Sequence, residues 1–323
     1  MIGAYMRKGL VSVLVALAVM AASSASSAGS RQTGPEGLVY SRGGDLYAIA
    51  LDGSRTVRLT STPVWEEVSP AASPDGRLLA YVRGGAIWIR PLGSSAASRL
   101  TRGWDVDPTW APDGRSIYFV RILSQNDEGP GHSFHEECGS IFRVRTDGRE
   151  PARLVTNPPL ADSFHDHESP SVSPDGARIA FTDANQCSGG TTNFALRVVD
   201  RYGNPTSDLT RLVGNHSYVY GAYGAPDWSP DGTRLVFVGG RSVHVANRDG
   251  SGRRRLTPLR LSVDFLGVHG PAWSSDGEWI AFATSHGGQD LYVIRPDGSG
   301  LRRLTRTKAA ETTPAWLPVM PGG

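Results

Sequence analysis

Short apolar segments recur along the chain, and turns rich in glycine, proline and aspartate separate them. Residues 235–238 (Leu-Val-Phe-Val) and 279–283 (Trp-Ile-Ala-Phe-Ala) show the β-branched, aromatic and small residues that strands favour. The turn before the first of these segments is Ser-Pro-Asp-Gly, at residues 229–232. Its proline suits a type I turn, its aspartate can accept backbone hydrogen bonds, and its glycine accepts a positive φ. The pattern predicts a β-hairpin at this turn.

The same turn occurs five times, and a similar strand follows each copy. The copies begin at Ser73, Ala111, Ser173, Ser229 and Ser274. A third strand comes next and runs into a second glycine-containing turn, and a short fourth strand ends in Arg-Leu-Thr or a variant of it. Four short strands per unit, repeated at roughly 40–60 residues, are typical of the blades of a β-propeller.

The number of units and the two ends of the repeat array predict how the ring closes. The first unit, residues 36–60, begins at its second strand, and the final segment Thr-Pro-Ala-Trp-Leu, residues 313–317, matches the missing inner strand. We therefore predict an all-β fold, a six-bladed β-propeller of four-stranded antiparallel blades. The C-terminal strand is expected to pair into the first blade, which removes two open strand edges.

These motifs resemble the WD40-like (PD40) repeat of the TolB-type six-bladed propellers, over nearly all of residues 36–318. The resemblance implies the propeller fold. TolB-type proteins also carry an amino-terminal α/β domain, which we do not expect here because only residues 29–35 precede the first blade. Related repeats form the propeller half of prolyl oligopeptidase-type enzymes, but the sequence contains no Gly-x-Ser-x-Gly nucleophile elbow.

The amino terminus predicts export. Arg7 and Lys8 precede an apolar stretch at residues 9–20, and small residues with a candidate cleavage site after Ala28 follow. We predict a signal peptide at residues 1–28, a short extension at 29–35, the propeller at 36–318 and a tail at 319–323. The mature protein is expected in the periplasm or outside the cell, with no stable membrane anchor after the signal is removed.

The charge balance argues against a nucleic-acid partner. The formal net charge of the chain is +2, and Arg7 and Lys8 account for it. A mature chain with equal numbers of acidic and basic residues lacks the basic excess that phosphate binding requires.

All the long connections fall on one face of the predicted propeller, because alternate connections of a blade lie on opposite faces. They are residues 122–140, 157–169, 183–193, 211–225 and 258–270, and seven of the eight histidines lie on this face. Loops on a rigid scaffold are where binding usually occurs. The candidate binding residues on this long-loop face are His132, His135, Glu136, His165, Asp166, His167, Glu168, Tyr218, Tyr220 and Tyr223.

Two runs on this face offer metal chemistry. His132, His135, His165 and His167 stand beside acidic residues, which is a ligand set for zinc or another first-row metal. Neither run matches a helix-borne motif such as His-Glu-x-x-His. A solvated loop that binds nothing and a histidine-based pH response are the open alternatives, and no catalytic residue is assigned.

Acidic residues also stand just before the predicted inner strands: Glu67, Asp107, Glu168 and Glu311, with His269 at the equivalent place in the sixth unit. They either ring the axial opening, where they would hold a cation or the amine of a partner peptide, or belong to the repeat and satisfy backbone donors.

Cys138 and Cys187, the two cysteines, lie in loops of adjacent blades on the long-loop face. In an exported protein we predict that they form a disulfide. Aromatic residues on the same face, including the three tyrosines, Trp65 and Trp104, form a partner-binding or sugar-binding surface or else pack over the blade seams.

The function that these patterns favour is an exported, non-enzymatic binding module without a cofactor. It would contact a protein, peptide or glycan through the long-loop face. The alternative is a metal-dependent lyase or hydrolase that uses the His/Asp/Glu cluster with a divalent metal, which the resemblance permits because some PD40-like propellers are sugar-acid lyases. A purely structural envelope protein is a third class.

Overall fold

The structure is a computed structural model that describes residues 36–62, 66–129, 132–156, 166–184, 194–209, 224–240, 242–258, 270–284, 289–318 and 320–321. For residues 124–129, 132–137 and 207–208 it describes the backbone alone. In this part of the chain, 24 strands form six four-stranded antiparallel sheets. The predicted signal peptide and extension lie outside the described residues. Among the residues described, no helix has the length and apolar character needed to cross a membrane.

The six sheets are the blades of a propeller, and the strands of each blade are named in order from the innermost to the outermost. Blade one is β24 (Glu311–Leu317), β1 (Gly37–Arg42), β2 (Asp45–Ala50) and β3 (Thr56–Arg58). Blade two is β4 (Glu67–Ala72), β5 (Leu78–Arg83), β6 (Ala86–Pro91) and β7 (Ser98–Arg99). Blade three is β8 (Asp105–Trp110), β9 (Ser116–Gly129), β10 (His132–Arg145) and β11 (Arg153–Leu154).

The other three blades have the same order. Blade four is β12 (Asp166–Val172), β13 (Arg178–Ala184), β14 (Phe194–Asp200) and β15 (Pro205–Asp208). Blade five is β16 (Gly224–Trp228), β17 (Arg234–Gly239), β18 (Ser242–Asn247) and β19 (Arg254–Arg255). Blade six is β20 (Ala272–Trp273), β21 (Ile280–Ala283), β22 (Leu291–Ile294) and β23 (Arg302–Arg303).

The Ser-Pro-Asp-Gly turn between the first two strands of a blade is closed by its own side chains. In blade five the Ser229 hydroxyl donates to Oδ1 of Asp231 at 2.5 Å, and the Thr233 N–H donates to the same oxygen at 2.9 Å. The Ser229 Oγ in turn accepts the Arg234 N–H at 2.9 Å. Gly232 has a φ of 67°, so the turn chemistry predicted from the sequence is confirmed.

The recurring Arg-Leu-Thr motif anchors the outer strand to the third strand. In blade one the Thr60 Oγ1 accepts the Leu46 N–H at 2.9 Å, while Arg58 Nε donates to the Thr60 carbonyl at 2.8 Å. The threonine therefore satisfies a backbone donor at the start of the third strand, where the sheet ladder does not reach it. The same threonine contact recurs at Thr101, Thr156, Thr257 and Thr305.

Hydrophobic clusters fill all six seams between adjacent blades. An aromatic residue on the second strand of each blade packs against the preceding blade, as Tyr81 does against blade one and Phe119 against blade two. One cluster joins blade six to blade one through Tyr40 and Leu291. The sheets therefore form a closed ring in which each blade covers the apolar face of its neighbour.

The C-terminal strand closes the ring, as the sequence predicts. β24 pairs with β1 in antiparallel register, and the Trp316 Nε1–H donates to the Ala272 carbonyl of blade six at 2.8 Å. Leu317 is fully buried. Met320, which the sequence pattern places in a tail, is 4% exposed and packs in the seam between blades one and two.

The blade-three insertion, expected as a loop at residues 122–140, is instead a continuation of the β9–β10 hairpin. The two strands stay in register from Ser116 opposite Arg145 to Gly129 opposite His132. The sequence of this ribbon is polar and lacks an alternating apolar pattern, so it does not resemble a strand. The described strands place His132, His135 and Glu136 on β10, opposite Gly129, Asn126 and Gln125.

Candidate functional site

Each of five inner strands is interrupted by a bulge at the residue that precedes its proline. These residues are not glycines, yet their φ angles lie between 46° and 53°, and the strand pairing shifts register around them. They are Ser69, Asp107, Ser169, Ala225 and Thr313. Such a conformation costs of order 1 kcal/mol or more per residue and persists only where its surroundings fix it. All five line a cavity on the propeller axis.

Asp107 connects the inner strands of three blades. Its Oδ1 accepts from the Ser69 hydroxyl of blade two at 3.4 Å, and its carboxyl group accepts from the N–H and the hydroxyl of Ser169 in blade four. Burial raises the pKa of Asp107 to about 6, although these hydrogen bonds act in the opposite direction.

Asp227 makes a second connection of this kind, among blades four, five and six. Its Oδ1 accepts from the Ser171 hydroxyl at 2.8 Å, and its Oδ2 accepts the Trp273 N–H at 2.8 Å. Burial raises the pKa of Asp227 to about 6 as well. The inner strands of blades two to six are thus joined around the axis by the carboxyl groups of two partly buried aspartates.

A second set of acidic residues lies three positions before the inner-strand proline, at the end of the axis nearest the long-loop face. In blades one, two and three this acid is fully buried and pairs across the sheet with an arginine on the second strand. The pairs are Glu311 with Arg42, Glu67 with Arg83 and Asp105 with Arg121. Glu67 and Glu311 thus belong to a feature that recurs in three blades, but their partners are arginines and not the backbone donors expected from the sequence.

Blade four differs from this pattern at both positions, as blades five and six also do in the sequence. His167 occupies the place of the acid and Asp183 the place of the arginine, and the two residues are direct cross-strand partners. Nε2 of His167 lies 3.9 Å from Oδ1 of Asp183, and Arg197 Nε donates to Oδ2 of Asp183 at 3.0 Å. Nδ1 of His167 lies 2.9 Å from the Thr156 hydroxyl oxygen. The arrangement replaces the acid–arginine pair with a histidine–aspartate pair whose aspartate is bound by an arginine of the third strand.

Two further carboxyl groups flank His167 on the same strand. Asp166 and Glu168 are hydrogen-bonded to each other, and Asp166 Oδ1 also accepts the Gly139 N–H from β10 at 2.6 Å. Burial, the Asp166 charge and the Asp107 charge raise the pKa of Glu168 to about 8. Burial also raises the pKa of Asp166. Glu168 is therefore the protonated member of the pair at neutral pH, yet its buried Oε2 has no hydrogen-bond partner.

A cavity of about 470 Å³ adjoins this cluster. The described residues in its wall include Thr156, His167, Phe181, Asp183 and Arg197. A pocket of this size with a few convergent polar groups is the usual form of a ligand site. We call Asp166, His167, Glu168, Asp183 and Arg197 the blade-four cluster.

The structure places three of the predicted binding residues, Asp166, His167 and Glu168, in this cluster. His165, Tyr218, Tyr220 and Tyr223 lie outside the described residues, as does Cys187, and only the backbone is described for His132, His135 and Glu136. Among the described residues, no three His, Cys, Asp or Glu side chains form a group that could hold a metal ion. Cys138 is buried at the base of the hairpin, and no described cysteine is free. Its pairing with Cys187 stays a prediction.

Sequence reasoning missed Asp183, Arg197 and Asp227. The first two could have been found by aligning the repeats with one another, because Asp183 stands where three other blades have arginine. Asp227 gives a weaker signal, since its partners Ser171 and Trp273 lie 56 and 46 residues away in the chain.

Comparisons with known proteins support the fold and leave the function open. No family model matches the chain. An uncharacterised protein of Agrobacterium fabrum is 29% identical over 175 residues, which are 51% of this chain and 52% of that protein. The chain therefore spans about half the length of this curated relative.

Solved structures give more extensive matches. TolB of Acinetobacter baumannii aligns with a TM-score of 0.63 and 21% identity over 89% of this chain and 67% of its own. A TolB-type protein of Agrobacterium tumefaciens gives a TM-score of 0.62 and 18% identity over 89% and 94%. A chain of a nidogen/laminin complex gives 0.63 and 13% identity over 87% and 98%. At these identities the likeness concerns the fold, and the chain is similar to the TolB-like six-bladed β-propellers.

Proposed function

We propose that this protein is an exported binding module that recognises a peptide segment of a partner protein at the blade-four cluster. The observation that carries the proposal is a polar pair beside a cavity. Three blades hold a buried carboxylate–arginine pair at this place, whereas blade four presents His167 and Asp183 beside a cavity of about 470 Å³. Blades five and six also lack the carboxylate–arginine pair and have Gly239 and Thr284 on the second strand, so the proposal rests on the polar pair together with the cavity.

Two features of the long-loop face suit a protein partner. Trp104, in the connection between blades two and three, is 57% exposed. Exposed tryptophan is enriched at protein interfaces, where its large surface is buried on binding. In blade four, Arg197 and Asp183 line the cavity and offer charged hydrogen-bonding groups to a peptide backbone or side chain. The nidogen/laminin structure shows that a propeller of similar fold occurs in a protein–protein complex, and the amino-terminal sequence supports export.

The test uses peptides selected on the folded protein and a variant in which blade four is returned to the repeat. Peptides enriched from a random phage-displayed library would be measured for affinity to the wild type and to the double variant His167→Glu, Asp183→Arg. This variant installs the pair that three blades already contain but removes the acceptor of Arg197, so its thermal unfolding is measured first to verify that it folds. We expect it to weaken peptide binding by at least about tenfold, since hydrogen bonds to charged groups contribute about 1.5–3 kcal/mol each.

The matched control is Arg248→Ala, on an exposed turn at the opposite face, which should bind like the wild type. Hydrogen exchange of the complex should show protection at β12 and β13. Failure to enrich any peptide, equal binding by the double variant, or protection confined to the Ser-Pro-Asp-Gly turns would overturn the proposal. Metal analysis of the same protein, purified without chelator, tests the alternative of a metal-dependent enzyme.

A further inference from the structure

The axial cavity is a separate site from the blade-four cluster. Its volume is about 430 Å³, and its wall extends from the residues before the inner-strand prolines to Pro74 and Pro112 of two Ser/Ala-Pro-Asp-Gly turns. It therefore lies at the end of the axis nearest the turn face, away from the long-loop face. The volume is within the range of small-molecule pockets, which is about 300–1,000 Å³.

The wall of this cavity carries negative charge and no described positive charge. Asp107 and Asp227 both line it, and among the described lining residues there is no lysine, arginine or histidine. Both residues are partly accessible to solvent, and both line the cavity. A carboxylate has about four acceptor positions, so the bonds from Ser171 and Trp273 leave Asp227 with capacity for another donor.

Indole rings make up much of the remaining wall. Trp110, Trp273 and Trp316 line the cavity together with the inner-strand prolines. Tryptophan is the aromatic residue that attracts cations most strongly, by about 0.5–2 kcal/mol. The Arg234 guanidinium already lies over the Trp273 ring, 4.9 Å from its centroid, so the other two indoles remain for this contact. Carboxylates and indoles in one wall favour the same class of ligand.

Trp273 adds a buried donor to this wall. Its side chain is 5% exposed, and its Nε1–H has no hydrogen-bond acceptor among the described residues. Of the equivalent indoles, Trp110 donates to the Ala71 carbonyl at 2.9 Å and Trp316 to the Ala272 carbonyl at 2.8 Å, whereas Trp228, which does not line the cavity, also lacks an acceptor among the described residues. A buried donor without a partner is rare in folded proteins, and the hydroxyl group of a ligand that reached Trp273 would provide an acceptor.

We infer that the axial cavity binds a small organic cation, a primary amine whose ammonium group contacts Asp107 and Asp227 and whose body packs against the tryptophans. The amine brings the positive charge that the wall lacks. This site is independent of peptide binding at the blade-four cluster.

The experiment compares three ligands of nearly the same shape on the full exported protein by titration calorimetry. Tyramine carries an ammonium group, tyrosol has a hydroxyl in its place, and 4-hydroxyphenylacetate has a carboxylate. We expect tyramine to bind at least about tenfold more tightly than tyrosol, and 4-hydroxyphenylacetate not to bind. Equal affinity for the three ligands, or no heat with tyramine at millimolar concentration, would overturn the inference.

Variants then locate the site. Asp227→Asn keeps the shape of the side chain and one oxygen that can accept a hydrogen bond, but it removes the negative charge. We therefore expect the affinity for tyramine to fall about tenfold and the affinity for tyrosol to stay the same. Asp297→Asn, on an exposed turn of blade six, should leave both affinities unchanged. If Asp227→Asn does not fold, hydrogen exchange of the wild type with tyramine replaces it, with protection expected at residues 70–72 and 227–228. Unchanged tyramine affinity in folded Asp227→Asn, or protection only on the long-loop face, would contradict the assignment.

Discussion

The protonated state of Glu168 should make the stability of this propeller fall as the pH rises above neutrality. The pKa of Glu168 is raised from 4.5 to about 8, first by burial and then by the charges of Asp166 and Asp107. Between these two values the folded state holds a proton that the unfolded state has lost. The contribution of Glu168 to stability is therefore fully present below the unfolded pKa, and it is lost as the pH rises to the folded pKa.

The window from pH 6.5 to 9 separates Glu168 from the other shifted groups. Asp107 and Asp227, with pKa values raised to about 6, act with the same sign, but mostly below pH 6.5. Burial lowers the pKa of His244 from 6.5 to about 4, so its contribution has the opposite sign and is confined to lower pH. Below the folded pKa the free energy of unfolding falls by about 1.36 kcal/mol per pH unit, and above it the contribution of Glu168 levels off. Between pH 6.5 and about 8 the free energy of unfolding therefore falls by about 2 kcal/mol. The melting temperature should fall by roughly 4–8 °C.

The assay is thermal unfolding of the wild type and Glu168→Gln at intervals of pH from 5 to 9. Glutamine keeps a donor for Asp166 and cannot ionise, so the variant should resemble the wild type near pH 5 and lose little stability up to pH 9. Glu278→Gln, an exposed residue on a blade-six turn, should keep the wild-type fall. A wild-type curve that is flat from pH 6.5 to 9, or an equal fall in Glu168→Gln, would refute the assignment of the proton to this pair.

Three further predictions concern the ring, the hairpin and the cysteines. Leu317→Ala should lower the free energy of unfolding by about 2–5 kcal/mol in urea, because Leu317 is fully buried on the closing strand; a loss below about 1 kcal/mol would contradict closure by β24. Gly139→Ala should accelerate hydrogen exchange in β9 and β10, because a Cβ there would lie 2.6 Å from the His167 carbonyl oxygen; unchanged exchange would show that the backbone relaxes without cost. Denatured, non-reduced protein should show no free thiol, whereas two reactive thiols would exclude the disulfide between Cys138 and Cys187.

The fold could be predicted because its determinants are local in the sequence. A Ser-Pro-Asp-Gly turn is closed by contacts within five residues, as Ser229 and Arg234 show, so each copy reports its own hairpin. Ring closure followed from counting strands, since one unit lacked an inner strand that the chain end could supply. The extended β9–β10 hairpin could not be predicted in this way, because its polar sequence shows no periodic apolar pattern.

The site was only partly predictable, because its chemistry is assembled between blades. Asp166, His167 and Glu168 stand together in the sequence, but their partners Gly139 and Asp107 come from blade three. No local pattern shows that Glu168 keeps a proton at neutral pH, since the cause is the combination of burial with two neighbouring charges.

A repeat protein carries its own internal comparison, and the departures from the repeat are the informative positions. Three buried acid–arginine pairs show what the scaffold holds at the entrance to blades one, two and three. Loss of one member of such a pair would leave a buried charge without its partner, which costs several kcal/mol. In blade four both members differ, as they also do in blades five and six, but here the aspartate is matched by Arg197 from a third strand, and the histidine is held by Thr156. Blade four thus has a satisfied polar pair where blades five and six have Gly239 and Thr284 on the second strand, and that is why the search for a partner of this protein should begin at blade four.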